Sequence, residues 1–268
     1  INNKYVKNGN IELNKLFTIS SVKANISNLS LDIPSQIEQQ KLILKQKNVP
    51  ENEIGPHCRT PYNCDYIGNC WKTIPAYSVF DISNLSQEKK FDLYSKGILK
   101  LENIPPDYPL SNNQKIQVSC EKTNEKLINE EKLSTFISDL QYPLYFLDFE
   151  TFSSAVPHFD NSKPYEHMVF QFSLHIQKEK NGETEHYEHL AKADGTDPRI
   201  NFIKALIKFC AGEGSVIVYN KGFESSKIEQ LAIAFPEFKN ELQQIISRIK
   251  DLMIPFQKKW YYNKNMKG

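Results

Sequence analysis

The sequence predicts an α/β protein: a mixed sheet flanked by helices in the C-terminal half, preceded by a mainly helical, cysteine-containing N-terminal region. Three observations carry this. Strand-like stretches appear only after Pro143, at residues 144–147, 169–176, 183–190 and 215–219. Helical patterns at residues 198–209 and 225–234 alternate with the later runs, the order a mixed sheet requires. The part before Pro143 shows helix-period stretches and a segment broken by Pro and Gly, with no strand pattern.

Each element has a local cause. Residues 1–55 are polar; Pro34, Ile37, Leu42, Ile43 and Leu44 suggest a helix entered at Pro34. Pro56, Pro61, Gly68 and Pro75 make residues 56–77 loop-rich. Phe91, Leu93, Tyr94 and Leu99 give residues 81–101 a helical reading, with a break at Gly97. Pro105, Pro106 and Pro109 make residues 102–120 a linker, and residues 121–140 a charged helix. Beyond Pro143, the first strand is followed by two more, joined by a turn at Asn181-Gly182. Asp197 is placed to cap the next helix, with Pro198 at its first position. A strand at 215–219, a helix at 225–234 and another helix at 237–253 complete the chain. The expected organisation is a helical and cysteine region (1–77), a helical linker region (78–140) and a sheet domain (141–268).

Composition narrows the function classes. The 268 residues carry 33 basic and 32 acidic side chains, a formal charge of +1. Apolar residues make up 40% and charged residues 24%, excluding a disordered or collagen-like chain. No apolar run approaches the roughly 20 residues of a membrane helix. Balanced charge gives no global attraction to polyanions, so nucleic acid must be met by a local patch. Arg59, Arg199 and Arg248 are the only arginines. With many Asn and Ile, the lysine excess reflects AT-biased coding rather than function. The chain begins at Ile1 and reads as a piece of a longer protein. Five cysteines, three of them clustered, fit a reducing cytoplasmic setting better than a secreted disulfide framework.

The sharpest chemical feature is Asp148-Phe149-Glu150-Thr151 at the end of an apolar run. A strand turns alternate side chains to one face, so Asp148 and Glu150 point together while Leu147 and Phe149 enter the core. Adjacent carboxylates repel unless a cation joins them, and Mg²⁺ or Mn²⁺ prefers such oxygens. That pairing serves phosphoryl chemistry; the plainer alternative is a solvated strand end that carries two acids. Further on, Asn220 and Glu224 follow a buried strand, where open α/β sheets place their sites. Glu224 would stand in the first turn of the next helix, within reach of the same metal; the plainer alternative is an acid favoured by the helix dipole.

Asp-x-Glu-Thr at a strand end with a later Asn-x-x-Phe-acid resembles the DEDD exonuclease superfamily, whose fold is ribonuclease H-like. The stretch 144–268 is similar to the bacterial domain-of-unknown-function family 2779. The residues that carry this are Leu147 to Thr151, Pro164-Tyr165, Phe170 to His175, Val218 to Asn220, Phe223-Glu224, Asp251-Leu252 and Trp260 to Tyr262. The resemblance implies a Mg- or Mn-dependent, 3'-5' exonuclease-like activity on DNA or RNA. It puts Asp148 and Glu150 at the first-motif metal positions and Glu224 at the second-motif acid, where Asp is usual. Thr151 and Asn220 become substrate-binding residues beside them. Asp251 resembles a structural Asp-Leu between motifs. A third-motif Asp has no matching place before Gly268.

Cys58, Cys64 and Cys70 are evenly spaced in the loop-rich segment. Three nearby thiolates suit zinc or an iron–sulfur cluster, with Cys120 or an upstream cysteine as fourth ligand; the alternative is three free thiols. They resemble the cysteine tail of RecB-like PD-(D/E)xK nucleases, which implies a 4Fe-4S cluster there. Cys120 and Cys210 read as small core residues. His186 and His189 fall on opposite faces of a strand. At the end of the chain Lys258, Lys259, Lys264 and Lys267 interleave with Phe256, Trp260, Tyr261 and Tyr262. Lys258, Lys259 and Trp260 are thus candidates for gripping single-stranded nucleic acid, or their aromatics pack within the fold. Two functions stay open: a metal-dependent nuclease, or a non-catalytic nucleic-acid- or partner-binding module on the same fold.

Overall fold

The structure is a computed structural model that describes residues 1–266. The chain forms two compact units, one of residues 19–128 with the segment from Tyr262 on, the other of residues 1–18 and 129–261.

The first unit is helical. Helices α1 (Lys23–Leu29) and α2 (Ile33–Leu44) open it, and Pro34 sits in the first turn of α2. α3 (Gln87–Ser95) begins where Ser86 Oγ accepts the Lys89 N–H at 3.3 Å, and the chain turns away at Gly97 (φ +73°). The helix expected over 81–101 is therefore shorter. Val79, Ile82 and Leu85 come before the cap and join the unit's core with Leu93, Leu101, Ile104 and Val118. α4 (Asn112–Thr123) replaces the second half of the expected linker. Ser111 and Gln114 form a reciprocal capping box, which outweighs the prolines just upstream. The single helix expected over 121–140 is likewise two. α4 stops at Asn124, in the left-handed region (φ +61°), and α5 (Glu130–Ser138) restarts when Asn129 Oδ1 accepts the Lys132 N–H at 3.0 Å.

The second unit carries α5 and a five-stranded mixed sheet. Its strands are β1 (Leu144–Ser153), β2 (His167–Gln177), β3 (Thr184–Leu190), β4 (Ser215–Val218) and β5 (Ile249–Asp251). Across the sheet the order is β3, β2, β1, β4, β5. β1 pairs antiparallel with β2, and β2 with β3; β4 joins β1 in parallel, and β5 joins β4. Asn181 (φ +62°) turns the chain between β2 and β3. Helices α6 (Pro198–Cys210), α7 (Lys221–Ala234) and α8 (Lys239–Ser247) complete it. Asp197 caps α6 by accepting the Arg199 N–H at 3.0 Å, and Pro198 opens it as the sequence predicts. Phe202, Ile203 and Leu206 of α6 pack with Leu147, Phe149, Phe172 and Leu174 in one core, where the Phe172 and Phe202 rings meet edge to face at 5.4 Å. Residues 1–18 join this unit through the Lys7 backbone, which pairs with Ser162 and Asn161, and through a Lys7–Asp160 ion pair at 2.7 Å.

The last helix expected, over 237–253, is split. α8 ends at Ser247, and Arg248 turns inward so that its guanidinium donates to the carbonyls of Cys210, Glu213 and Gly214. The next three residues then form β5, with Ile249 buried beside Val216. Among the described residues no helix is long and apolar enough to cross a membrane.

Candidate functional site

β1 builds the first half of the site. Leu147 and Phe149 are buried, whereas Asp148 and Glu150 are exposed on the opposite face. Their cross-strand neighbours on β2 are Ser173 and Gln171. Just past Glu150 the ladder slips: Glu150 pairs with Gln171, but Thr151 pairs with Val169, so Phe170 is the extra residue of a bulge. A bulge increases the local twist and bends the strand carrying it, here β2, alongside the acids. Thr151 Oγ1 hydrogen-bonds His167 Nδ1 at 3.0 Å across this irregular stretch.

The turn from β4 into α7 builds the second half. Asn220 takes a left-handed conformation (φ 82°, ψ 67°), which Asn tolerates better than most residues. Its side chain makes no capping bond. Asp251, at the end of the adjacent β5, does the capping instead. Its carboxylate accepts the backbone N–H groups of Asn220 at 3.1 Å, Lys221 at 3.0 Å and Met253 at 2.9 Å. Asp251 is thus a structural acid that holds the start of α7.

Glu224 lies in the first turn of α7 and is 4% exposed. Its Oε2 is buried without a hydrogen-bond partner. Burial pushes its carboxyl above the usual glutamate range, against a backbone hydrogen bond that lowers it, and the charges of Asp148 and Asp251 push the same way as burial. Glu224 therefore feels the charge of Asp148, although the two come from different elements. As the side chains are placed, no three His, Cys, Asp or Glu among the described residues stand close enough to hold an ion. The chemistry of the donor set still fits a hard cation: an orphaned carboxylate oxygen, a second carboxylate acting on it, and Glu150 exposed on the same strand face as Asp148.

The other residues singled out by sequence fall elsewhere. Lys258 is exposed, whereas Lys259 is buried with φ +51°. Trp260 meets Phe136 of α5 edge to face at 6.3 Å, so its ring packs within the unit. Lys267 lies outside the described residues. Cys58, Cys64 and Cys70 are free thiols, buried, exposed and half-buried in turn. Their loop is held by other means: the Cys64 N–H donates to the Cys58 carbonyl at 2.9 Å, Trp71 packs on Phe80 at 4.6 Å, and the Arg59 guanidinium lies 5.0 Å over Trp71. Sequence reasoning passed over His167. It bonds Thr151 and stands edge-on to Phe223 at 6.2 Å, next to Glu224. Its place one bulge away from the acids follows from the β1–β2 register, which a single sequence does not print.

Residues 145–268 match a family described as Domain of unknown function (DUF2779). This supports, for that part of the chain, the family resemblance carried by its motifs. An uncharacterized protein of Ureaplasma parvum serovar 3, UU173, is 33% identical over 198 residues. The alignment covers 68% of this chain and 27% of that relative, so the chain spans about a quarter of its length. No solved structure matches.

Proposed function

We propose that the sheet unit is a ribonuclease H-like, metal-dependent nuclease domain that hydrolyses phosphodiester bonds of DNA or RNA. The observation that carries this reading is the buried, unpartnered oxygen of Glu224 under the influence of Asp148. A buried carboxylate without a donor costs on the order of 1–3 kcal/mol, and a divalent cation offsets that cost. Asp148 and Glu150 lie on β1 just past the stretch that pairs in parallel with β4, and Glu224 lies in the helix that follows β4, on the side where open α/β sheets place their sites. Asp148, Glu150 and Glu224 would hold Mg²⁺ or Mn²⁺. The bound metal supplies Lewis-acid stabilisation of the developing phosphoryl charge and a more acidic water. Thr151 fixes His167 at the rim, and Asp251 fixes the helix that carries Glu224. Cys58, Cys64 and Cys70 remain candidates for zinc or an iron–sulfur cluster, with nucleic acid as the partner of the whole protein.

A second reading is a nucleic-acid- or partner-binding module on the same fold without catalysis. The separation of the three carboxylates favours it, because a hydrolytic centre needs them gathered. Mn²⁺ titration separates the two. The nuclease reading expects saturable binding by the wild type that is lost in Asp148→Ala and in Glu224→Gln, with Mn²⁺-dependent cleavage of labelled single strands lost in both. Equal Mn²⁺ uptake by all three proteins overturns it and leaves the binding module.

A further inference from the structure

The sheet has a second chemical feature on the face that carries Asp148 and Glu150. His175 of β2 and His186 of β3 are direct cross-strand partners. Both are exposed, and their rings lie nearly parallel, 4.5 Å between centroids with 25° between planes. His186 Nε2 hydrogen-bonds Ser173 Oγ at 3.1 Å, which anchors that ring. Neither residue has an ion pair among the described residues.

We propose that His175 and His186 form a two-imidazole chelate for a borderline divalent transition metal such as Ni²⁺ or Zn²⁺, separate from the carboxylate site. Direct cross-strand partners have their Cβ atoms about 4.5–5.5 Å apart. Two zinc–nitrogen bonds of about 2.0–2.1 Å at a tetrahedral angle set their nitrogens about 3.3 Å apart. The lone pairs of the ring nitrogens lie in the ring planes, so the stacked rings point them side by side; rotation about χ1 and χ2 of the two exposed side chains turns both planes toward one ion while the strand pairing is kept. Imidazole suits Zn²⁺, Ni²⁺ and Cu²⁺, whereas the carboxylate site takes hard ions, so the two sites select different metals. With two protein ligands, the remaining positions fall to water. Strand pairing fixes the two backbone positions in advance, so only the side chains need ordering on binding.

The test is a Ni²⁺ titration of the folded chain under reducing conditions, counting equivalents for the wild type, His175→Gln and His186→Gln. Both positions are exposed, and circular dichroism of each variant checks that the fold is kept. The chelate expects each variant to bind one equivalent fewer than the wild type, and Ser173→Ala to keep that equivalent. Equal stoichiometry in the wild type and both variants overturns the proposal. So does a loss confined to one variant, which would mean a single imidazole binds the ion. Asp148→Ala keeps the equivalent, so failure of the carboxylate reading and failure of this one are distinguishable.

Discussion

At the scale of single residues, the site is defined by how differently three acids are treated. Asp251 gives its oxygens to three backbone donors, Asp148 stands exposed, and Glu224 is buried with one oxygen unpartnered. This has a thermodynamic consequence. Because the folded protein raises the Glu224 carboxyl above its ordinary value of 4.5, the fold holds that proton more tightly than the unfolded chain does. Stability therefore falls as pH rises from that ordinary value through the raised one, and the full penalty is present above it. Glu224→Gln removes the ionisation. Without metal near neutral pH it is expected to be more stable than the wild type by on the order of 1 kcal/mol, the scale of a buried polar mismatch. The gap should close below about pH 4, where the wild-type carboxyl is protonated in both states. Urea unfolding across pH reads this directly. Parallel stability profiles for the two proteins would show that Glu224 is not strained by its charge. Mn²⁺ should raise the wild-type midpoint and leave that of the variant unmoved.

At the scale of elements, the sheet depends on close approach where β4 starts beside β1. The Ser215 N–H donates to the Gln141 carbonyl at 2.8 Å, and the Gln141 N–H donates to Ser215 Oγ at 2.9 Å. Gly214, at φ +98°, makes this approach possible: a Cβ there would lie 2.2 Å from the Pro143 carbonyl oxygen. Gly212 has the same φ, but a Cβ there would meet only Tyr145 Oη, at 3.9 Å. Gly212→Ala should cost about 1–2 kcal/mol, the conformational penalty alone. Gly214→Ala should cost about 3 kcal/mol or more, because the strand must also move off its neighbour. Equal unfolding midpoints for the two variants would remove the contact from the explanation. The same elements show what sequence makes visible. β1, β2 and β3 are legible because a half-buried strand alternates, and Asp148 and Glu150 are legible as a pair for that reason. β5 is not: three residues are too few to show a period, and its identity comes from pairing with β4. α4 was hidden by prolines upstream of its cap, and the break between α4 and α5 by two Asn residues that read equally well as surface positions. The exposed pair could be seen in advance. The burial of Glu224 and the three bonds of Asp251 could not, since both are products of packing between distant segments.

At the scale of the whole molecule, a charge of +1 spread over 268 residues leaves function to local arrangements rather than to a global field. Stability is distributed just as unevenly. The sheet unit holds one large apolar core, and the helical unit a smaller one around Val79, Leu93 and Leu101. Between Ile19 and Val49, however, every residue whose side chain is described is exposed, including Ile26, Leu31, Leu42 and Leu44. α1 and α2 thus rest on their own backbone hydrogen bonds. Isolated helices shorter than about 12–15 residues are marginal in water, so these two should open far more often than elements that bury a face. Lys23, Lys41, Lys45 and Lys47 place tryptic sites in this stretch. Limited trypsin digestion followed by mass spectrometry should therefore cut there first, at low protease, and leave the sheet and the helices around Val79 intact. Where opening is fast relative to cleavage, the cutting rate reports the free energy of local opening. Early cuts within residues 144–261 instead would mean that the sheet opens more readily than two helices with no buried face, and that the Arg248 and Asp251 contacts at its parallel edge do not hold it closed.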